Sequence, residues 1–154
     1  RSPAVAELES LLSQTVSLTE AGSLTDAALV RDRFGLVPEA AAQAQVAAAH
    51  RPPGSAVTLI RYWLERPEPQ RTGDPRALLR FEMARTECIT LDDVAAVVSR
   101  PPWERSEAVV SRSHGHPQRM FVAHFSAPER SISFTLDRAD STGCVAALTV
   151  RQQR

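Results

Sequence analysis

The sequence contains no lysine and no asparagine, so all 18 of its basic residues are arginine. They are balanced by 18 acidic residues, and the net charge at neutral pH is zero. A general nucleic-acid binder needs a basic face that neutralises phosphates, and a protein held on an anionic membrane surface needs clustered positive charge. The charge balance argues against both classes, so no nucleic-acid partner is predicted.

Glycines and long apolar runs are also scarce. Only six glycines occur in 154 residues, and they form no glycine-rich loop of the kind that cradles phosphates. No apolar run reaches the roughly 20 residues of a membrane-spanning helix, so no membrane span is predicted. The first residues, Arg1-Ser2-Pro3, include neither a methionine nor an apolar signal region, which indicates a mature or trimmed form.

The two cysteines, Cys88 and Cys144, are the only residues able to form a disulfide. Cys88 directly precedes a helical pattern and Cys144 begins a strand pattern. These positions fit either two buried thiols or one bridge, and a bridge would imply an oxidising compartment. The sequence alone does not show whether the two Cα atoms come within about 7 Å, the limit for a disulfide.

Hydrophobic spacing predicts a single α+β domain over residues 1–154, with N-terminal helices packed on an antiparallel, meander-like sheet and one further helix inserted between strands. The helical part is 1–50, and the sheet occupies 55–151. The predicted helices are 3–17, 25–34, 38–50 and 90–100. The predicted strands are 56–66, 77–83, 108–112, 120–125, 131–137 and 144–150.

Several side-chain orientations follow from these patterns. Thr90 and Asp93 have the spacing of a capping box, which explains the acidic start of the helix without a catalytic role. Tyr62 and Trp63 are neighbours on a strand, so they should point to opposite faces. Strand alternation places the next three residues in the core: Ile132, Phe134 and Leu136.

The sequence offers little that resembles a catalytic or metal site. His114 and His116 are separated by one residue and, with His124 on the next strand, could reach one metal ion. We interpret them instead as part of a polar hairpin turn, because no cysteine or carboxylate lies nearby at a standard metal spacing. A nucleophile elbow is absent and Cys88 lacks a catalytic signature, so no cofactor, no metal and no enzymatic activity is predicted.

A binding surface is easier to propose. Trp103, Glu104 and Arg105 follow a double proline in a predicted loop, and tryptophan and arginine often anchor interfaces. Other basic side chains lie on the hairpin that follows. The predicted partner-binding residues are Trp103, Arg105, Arg112, His114, His116 and Arg119. The alternative is that Trp103 folds back onto the core.

Two stretches carry a resemblance: Glu87-Cys88-Ile89-Thr90-Leu91-Asp92-Asp93-Val94 and Gly143-Cys144-Val145. In plan and cysteine placement the chain resembles small exported bacterial proteins, including immunity proteins that neutralise secreted toxins attacking the cell wall or membrane. With the strands between the two stretches, about half of the chain takes part. The resemblance implies a disulfide between Cys88 and Cys144, a protein partner, and a periplasmic or secreted location.

The leading hypothesis is therefore a non-catalytic, exported binding protein, an immunity protein or inhibitor that binds a secreted effector enzyme and covers its active site with a loop or hairpin. The alternative is a small-molecule carrier or enzyme resembling the cone-shaped nuclear-transport-factor-2-like fold, with His124 or Tyr62 in its pocket. A structural subunit of an envelope complex is a third possibility.

Overall fold

The computed structural model describes residues 2–42, 45–67, 73–112 and 118–153. It confirms the predicted α+β class, with helices at the N-terminus and between strands. The helical segments are α1 (Pro3–Glu20), a 3-10 turn (Ser23–Thr25), α2 (Ala27–Phe34), and α3 (Leu91–Val94) continued by a second 3-10 turn (Ala95–Val98). The strands are β1 (Val37–Glu39), β2 (Gln45–His50), β3 (Val57–Glu65), β4 (Arg76–Met83), β5 (Glu104–Arg112), β6 (Gln118–Ala127), β7 (Arg130–Leu136) and β8 (Val145–Gln153).

All eight described strands belong to one antiparallel sheet, in the order β1-β2-β3-β4-β8-β7-β6-β5. The order consists of two four-stranded meanders, β1 to β4 and β5 to β8, that meet where β4 pairs with β8. The segment containing α3 carries the chain from the centre of the sheet to its far edge. The sheet centre is therefore made by strands that are distant in sequence.

Helix α1 follows from its sequence. Ser2 caps it by accepting a hydrogen bond from the Val5 backbone N–H at 3.2 Å, and Pro3 occupies the first turn, where no N–H is needed. Its apolar residues Val5, Leu8, Leu12 and Val16 stand at helical spacing and are buried. Helix α2 is capped by Asp26, and it ends at Gly35, which adopts a positive φ of 64°.

The core lies between these helices and one face of the sheet. Its largest fully buried side chains include Tyr62, Phe81, Phe125 and Phe134, and Ile132 and Leu136 are also completely buried as predicted. The Tyr62 hydroxyl donates a 2.7 Å hydrogen bond to the Leu24 carbonyl, which ties β3 to the first 3-10 turn. Burial raises the pKa of this hydroxyl, so it stays protonated and keeps its role as a donor.

The alanine-rich helix predicted over 38–50 is wrong, because this region contributes β1 and β2. The alanines suit a strand beside large neighbours: Ala47 lies opposite Trp63 and Ala48 opposite Tyr62. Packing against β3 therefore outweighs the high helix propensity of alanine. Pro38 is compatible with this arrangement, since β1 is an edge strand.

The helix predicted over 90–100 is shorter than expected. Thr90 and Asp93 form the predicted capping box, but regular α-helix ends at Val94 and a 3-10 turn follows. The Ser99 hydroxyl then donates to the Ala95 carbonyl at 2.6 Å, which satisfies a carbonyl at the end of the helical segment.

Cys88 and Cys144 form a disulfide, with their Cα atoms 5.0 Å apart. The bridge joins the segment before α3 to the start of β8. Two hydrogen bonds hold the same junction: Val145 N–H donates to the Ile89 carbonyl at 2.7 Å, and Cys144 N–H donates to the Asp137 carboxylate at 2.8 Å. The bridge therefore closes a junction that the backbone already aligns.

Candidate functional site: the open face of the sheet

The sheet has one helix-covered face and one face that carries no core-forming helix in the described ranges. Core residues of α1 and α2 pack with Tyr62, Phe81 and Phe134 on the covered face. Because strand residues alternate between faces, their chain neighbours point to the opposite side. We call that side the open face.

A polar row crosses the open face perpendicular to the strands. Its members lie directly opposite one another on β3, β4, β8, β7, β6 and β5: Arg61, Arg80, Thr149, Ser133, His124 and Ser106. Arg80 Nη1 donates to Thr149 Oγ1 at 3.1 Å, and His124 Nδ1 lies 2.8 Å from Ser133 Oγ. These bonds fix the central part of the row.

The contact between His124 and Ser133 is the feature of the row that most resembles part of a catalytic site. A serine bonded to a histidine is two parts of a nucleophilic triad, which also needs a group that orients the ring. Among the described residues no carboxylate bonds to His124, and Ser133 is only 9% exposed. The contact gives the buried Ser133 hydroxyl a hydrogen-bond partner and offers no accessible nucleophile.

Beside this row lies a cluster that we call the arginine patch: Arg61, Trp63, Arg80 and Arg151. Arg61 and Arg80 lie directly opposite on β3 and β4, and Trp63 is followed across the sheet by Leu78 and then Arg151. The Arg61 guanidinium carbon lies 5.5 Å from the centre of the Trp63 ring, a cation–π contact. Trp63 is still 37% exposed, so this aromatic ring is presented to solvent on a basic surface.

The electrostatics of the arginine patch favour an acidic ligand. Like charges directly opposite on neighbouring strands destabilise a sheet, and Arg61 and Arg80 stand in that relation. Arg80 has an ion pair with Glu82 at 3.5 Å. Arg61 Nε is buried and has no hydrogen-bond partner within the described part of the chain. A carboxylate placed over the patch would relieve the repulsion.

A groove of about 730 Å³ continues the patch toward one end of the open face. Trp63 and Leu78 provide apolar surface, while Arg151, Ser131 and Gln153 provide polar groups. Glu65 also lines it. Its lining includes no helical residue, but Leu64, Ala77 and Gln152 belong to the covered side of the strands, so the groove runs from the open face around one end of the sheet.

The sequence-predicted binding residues lie elsewhere. Trp103 is only 9% exposed and packs in the core, with the Arg130 guanidinium 4.8 Å from its ring centre. The expected loop at Glu104 and Arg105 is wrong, because both residues begin β5. Arg105 Nη2 forms an ion pair with Glu107 Oε1 at 2.7 Å, and the Arg105 guanidinium carbon lies 5.5 Å from the centre of the Phe125 ring.

Two of the other predicted residues, Arg112 and Arg119, are at the far end of strands β5 and β6. Arg119 pairs with Ser111, six positions along β5 from Arg105, which separates the two ends by about 20 Å. Arg112 ends β5, and His114 and His116 lie outside the described residues. The described members of the predicted set are thus divided between the two ends of the β5–β6 pair, and the role of the set in partner binding stays a prediction.

Sequence reasoning missed the arginine patch, although one signal for it was present. Placing Tyr62 in the core leaves Trp63 on the opposite face, where its exposure invites a binding role. The three arginines come from β3, β4 and β8, so only the strand order brings them together. In the described ranges, no group of three or more His, Cys, Asp or Glu residues is arranged to hold a metal ion.

The fold and this surface define a class: a disulfide-linked α+β domain with one helix-covered and one open sheet face. Among the described helices, none is long and apolar enough to cross a membrane. Comparisons with protein-family models, curated proteins and solved structures give no match to this chain.

Proposed function

We propose that this chain is a non-catalytic binding protein of an oxidising compartment that neutralises a secreted effector enzyme by covering it with the open face of the sheet. The observation that carries the proposal is the arginine patch, in which exposed Trp63 contacts Arg61 on the same face as Arg80 and Arg151. Among the described residues, Arg80 is the only one of these three arginines with an ion pair. Tryptophan and arginine are the residue types most enriched at the energetic centres of protein interfaces.

The expected partner presents an acidic, partly apolar surface. Trp63 would enter an apolar recess of the partner, and carboxylates would approach Arg61 and Arg151. Arginine suits this contact because its planar guanidinium pairs with carboxylates in a bidentate way. Stoichiometric coverage of an enzyme needs no catalytic group on the inhibitor.

The disulfide supports the compartment assigned in this proposal. Disulfides persist in extracellular and periplasmic spaces and are rare in reducing cytosol, so the Cys88–Cys144 bridge is compatible with a periplasmic or secreted location.

The test compares two surfaces of the same protein. The tagged protein is exported in its host, the partner is purified, and its affinity is measured for open-face variants (Trp63→Ala, Arg151→Ala) and hairpin variants (Arg105→Ala, Arg119→Ala). We expect each open-face variant to weaken binding at least about tenfold, as truncation of an interface anchor does, and the hairpin variants to bind like the wild type.

If the hairpin variants weaken binding and the open-face variants bind like the wild type, the partner-binding site lies instead at the hairpin residues predicted from the sequence. A captured enzyme that keeps its full activity in the complex would contradict the inhibitor role. Circular dichroism of each variant serves as the folding control, and Trp103→Ala is left out because Trp103 is part of the core.

The groove supports a second candidate function, small-molecule binding. Its volume of about 730 Å³ lies within the range of ligand pockets, roughly 300–1,000 Å³. In the cone-shaped alternative the pocket lies under the helices, but Tyr62 and Phe81 fill that space and the Tyr62 hydroxyl already bonds to Leu24. A ligand would therefore bind on the open face, beside Trp63.

Tryptophan fluorescence tests this second function. In a Trp103→Phe variant, Trp63 is the only remaining tryptophan. A small acidic aromatic compound that binds in the groove should quench Trp63 emission saturably, and Arg151→Ala should weaken that binding. If no compound in a library of this kind quenches Trp63 emission saturably, the small-molecule function is contradicted.

A further inference from the structure

Strand β5 is an edge strand whose residues are exposed on both faces. It forms one end of the sheet and spans nine residues. Every residue from 104 to 111 is exposed, including Val109 at 43% and Val110 at 40%. The helical layer that buries the central strands therefore does not extend over β5.

An edge strand of this length presents a row of backbone N–H and C=O groups that can pair with another strand. The opposite edge of the sheet is different, because β1 has only three residues and contains Pro38, which lacks an N–H donor. No described strand pairs with the outer side of β5. The pairing capacity of the sheet is concentrated on that side.

We propose that β5 pairs antiparallel with β5 of a second copy of this chain, about a two-fold axis at Ala108. This register places Glu104 of each copy opposite Arg112 of the other, which gives two opposite-charge pairs at the two ends of the contact. Ser106 then lies opposite Val110, so each exposed valine of that face gains a neighbour. A single symmetric contact of this kind closes a dimer.

Charge selects this register over its neighbours. Moving the axis to Glu107 places two glutamates opposite each other. Moving it to Val109 places Arg112 opposite Ser106 and Glu107 opposite Ser111, which gives no opposite-charge pair. Like charges directly opposite are unfavourable. An axis at Ser106 places Arg105 of one copy opposite Glu107 of the other. These two residues already form an ion pair within one chain, so the dimer gains little from this pairing, and fewer residues of the two strands overlap.

The two-fold axis is perpendicular to the sheet, so both copies keep their helices on the same side. Both arginine patches then lie on the opposite side of one continuous sheet. The dimer does not depend on the proposed function, because β5 does not contribute to the arginine patch.

Sedimentation velocity over a range of protein concentrations tests the proposal. The variants are Glu104→Arg, Arg112→Glu and the double exchange Glu104→Arg/Arg112→Glu. Within the chain these positions pair with Ser126 and Gln118, which are uncharged, so the exchanges place no like charge directly opposite them on β6. Arg105→Gln is the control, because Arg105 faces Ser111 in the proposed register and glutamine places no second acid beside Glu107.

We expect the wild type to dimerise as concentration rises and each single exchange to weaken the dimer at least about tenfold, since it converts two attractive pairs into repulsive ones. The double exchange should restore the wild-type dissociation constant, and the control should leave it unchanged. A wild type that remains monomeric at every concentration would overturn the proposal. So would single exchanges without effect, or a double exchange that fails to restore the dimer.

Discussion

Removal of the disulfide gives the largest change in stability that we predict for this chain. Replacing Cys88 and Cys144 with serine opens a loop of 56 residues. In the chain-entropy description of cross-links, a bridge that closes a loop of that length stabilises the folded state by about 4 kcal/mol. The substitution removes this contribution, because the unfolded chain regains the conformational freedom that the bridge restricted. The folded state keeps the hydrogen bond from Val145 to Ile89 and the one from Cys144 to Asp137, so its structure should persist.

Urea unfolding followed by circular dichroism measures this effect. With a slope of about 2 kcal/mol per molar urea, a loss of about 4 kcal/mol lowers the midpoint by about 2 M. The wild type with a reducing agent is the matched control, because it lacks the bridge but keeps both cysteines. A loss below about 1 kcal/mol with an unchanged slope would refute the reasoning, since the bridge would then add nothing to the constraint of the unfolded chain.

Substitutions at three further positions test single contacts by the same unfolding assay. Tyr62→Phe should cost about 1–3 kcal/mol because it leaves the buried Leu24 carbonyl without its donor; an unchanged midpoint would show that another group replaces the donor. Gly143→Ala should cost about 1–3 kcal/mol, since the new Cβ would lie 2.9 Å from the Asp137 carboxylate and 3.0 Å from the Arg138 backbone nitrogen; wild-type stability would mean that both groups move at no cost. Thr90→Ala should cost about 1 kcal/mol through loss of the helix cap, whereas Thr90→Ser should be neutral; equal effects would contradict the capping role.

The features predicted best are those decided by neighbouring residues. Alternation in Ser131-Ile132-Ser133-Phe134-Thr135-Leu136 is enough to place a strand and its buried side, because one face meets the core whichever strands lie beside it. The capping box at Thr90 is equally local. Such signals require no knowledge of the strand order.

The wrong predictions of secondary structure and burial concern residues whose conformation depends on a strand that is distant in sequence. The alanines of β2 favour a helix by themselves, and only the pairing of Ala47 and Ala48 with β3 makes them a strand. On β8, a shift in register opposite Thr135 and Leu136 places Val145 in the core where simple alternation predicts Ala146. A bulge of this kind depends on the partner strand as much as on β8 itself.

The candidate site could not be predicted for the same reason. Each arginine of the patch stands in an ordinary strand, and nothing local distinguishes Arg80 from Arg76 or Arg119. Their meeting depends on the pairing of β4 with β3 on one side and β8 on the other. The hairpin residues looked more promising because they are close in sequence, but closeness in sequence left Arg105 and Arg119 at opposite ends of two strands.

The arginine patch and the disulfide depend on the same pair of strands. Arg61 and Arg80 come from the first meander and Arg151 from the second, so the patch exists only where β4 pairs with β8. That pairing must close the chain between Met83 and Val145, and the bridge closes nearly the same loop. Because loop closure is the main entropic cost of pairing distant strands, the bridge offsets most of that cost at the junction that assembles the patch. A reducing environment that weakens this junction therefore weakens the proposed binding surface with it.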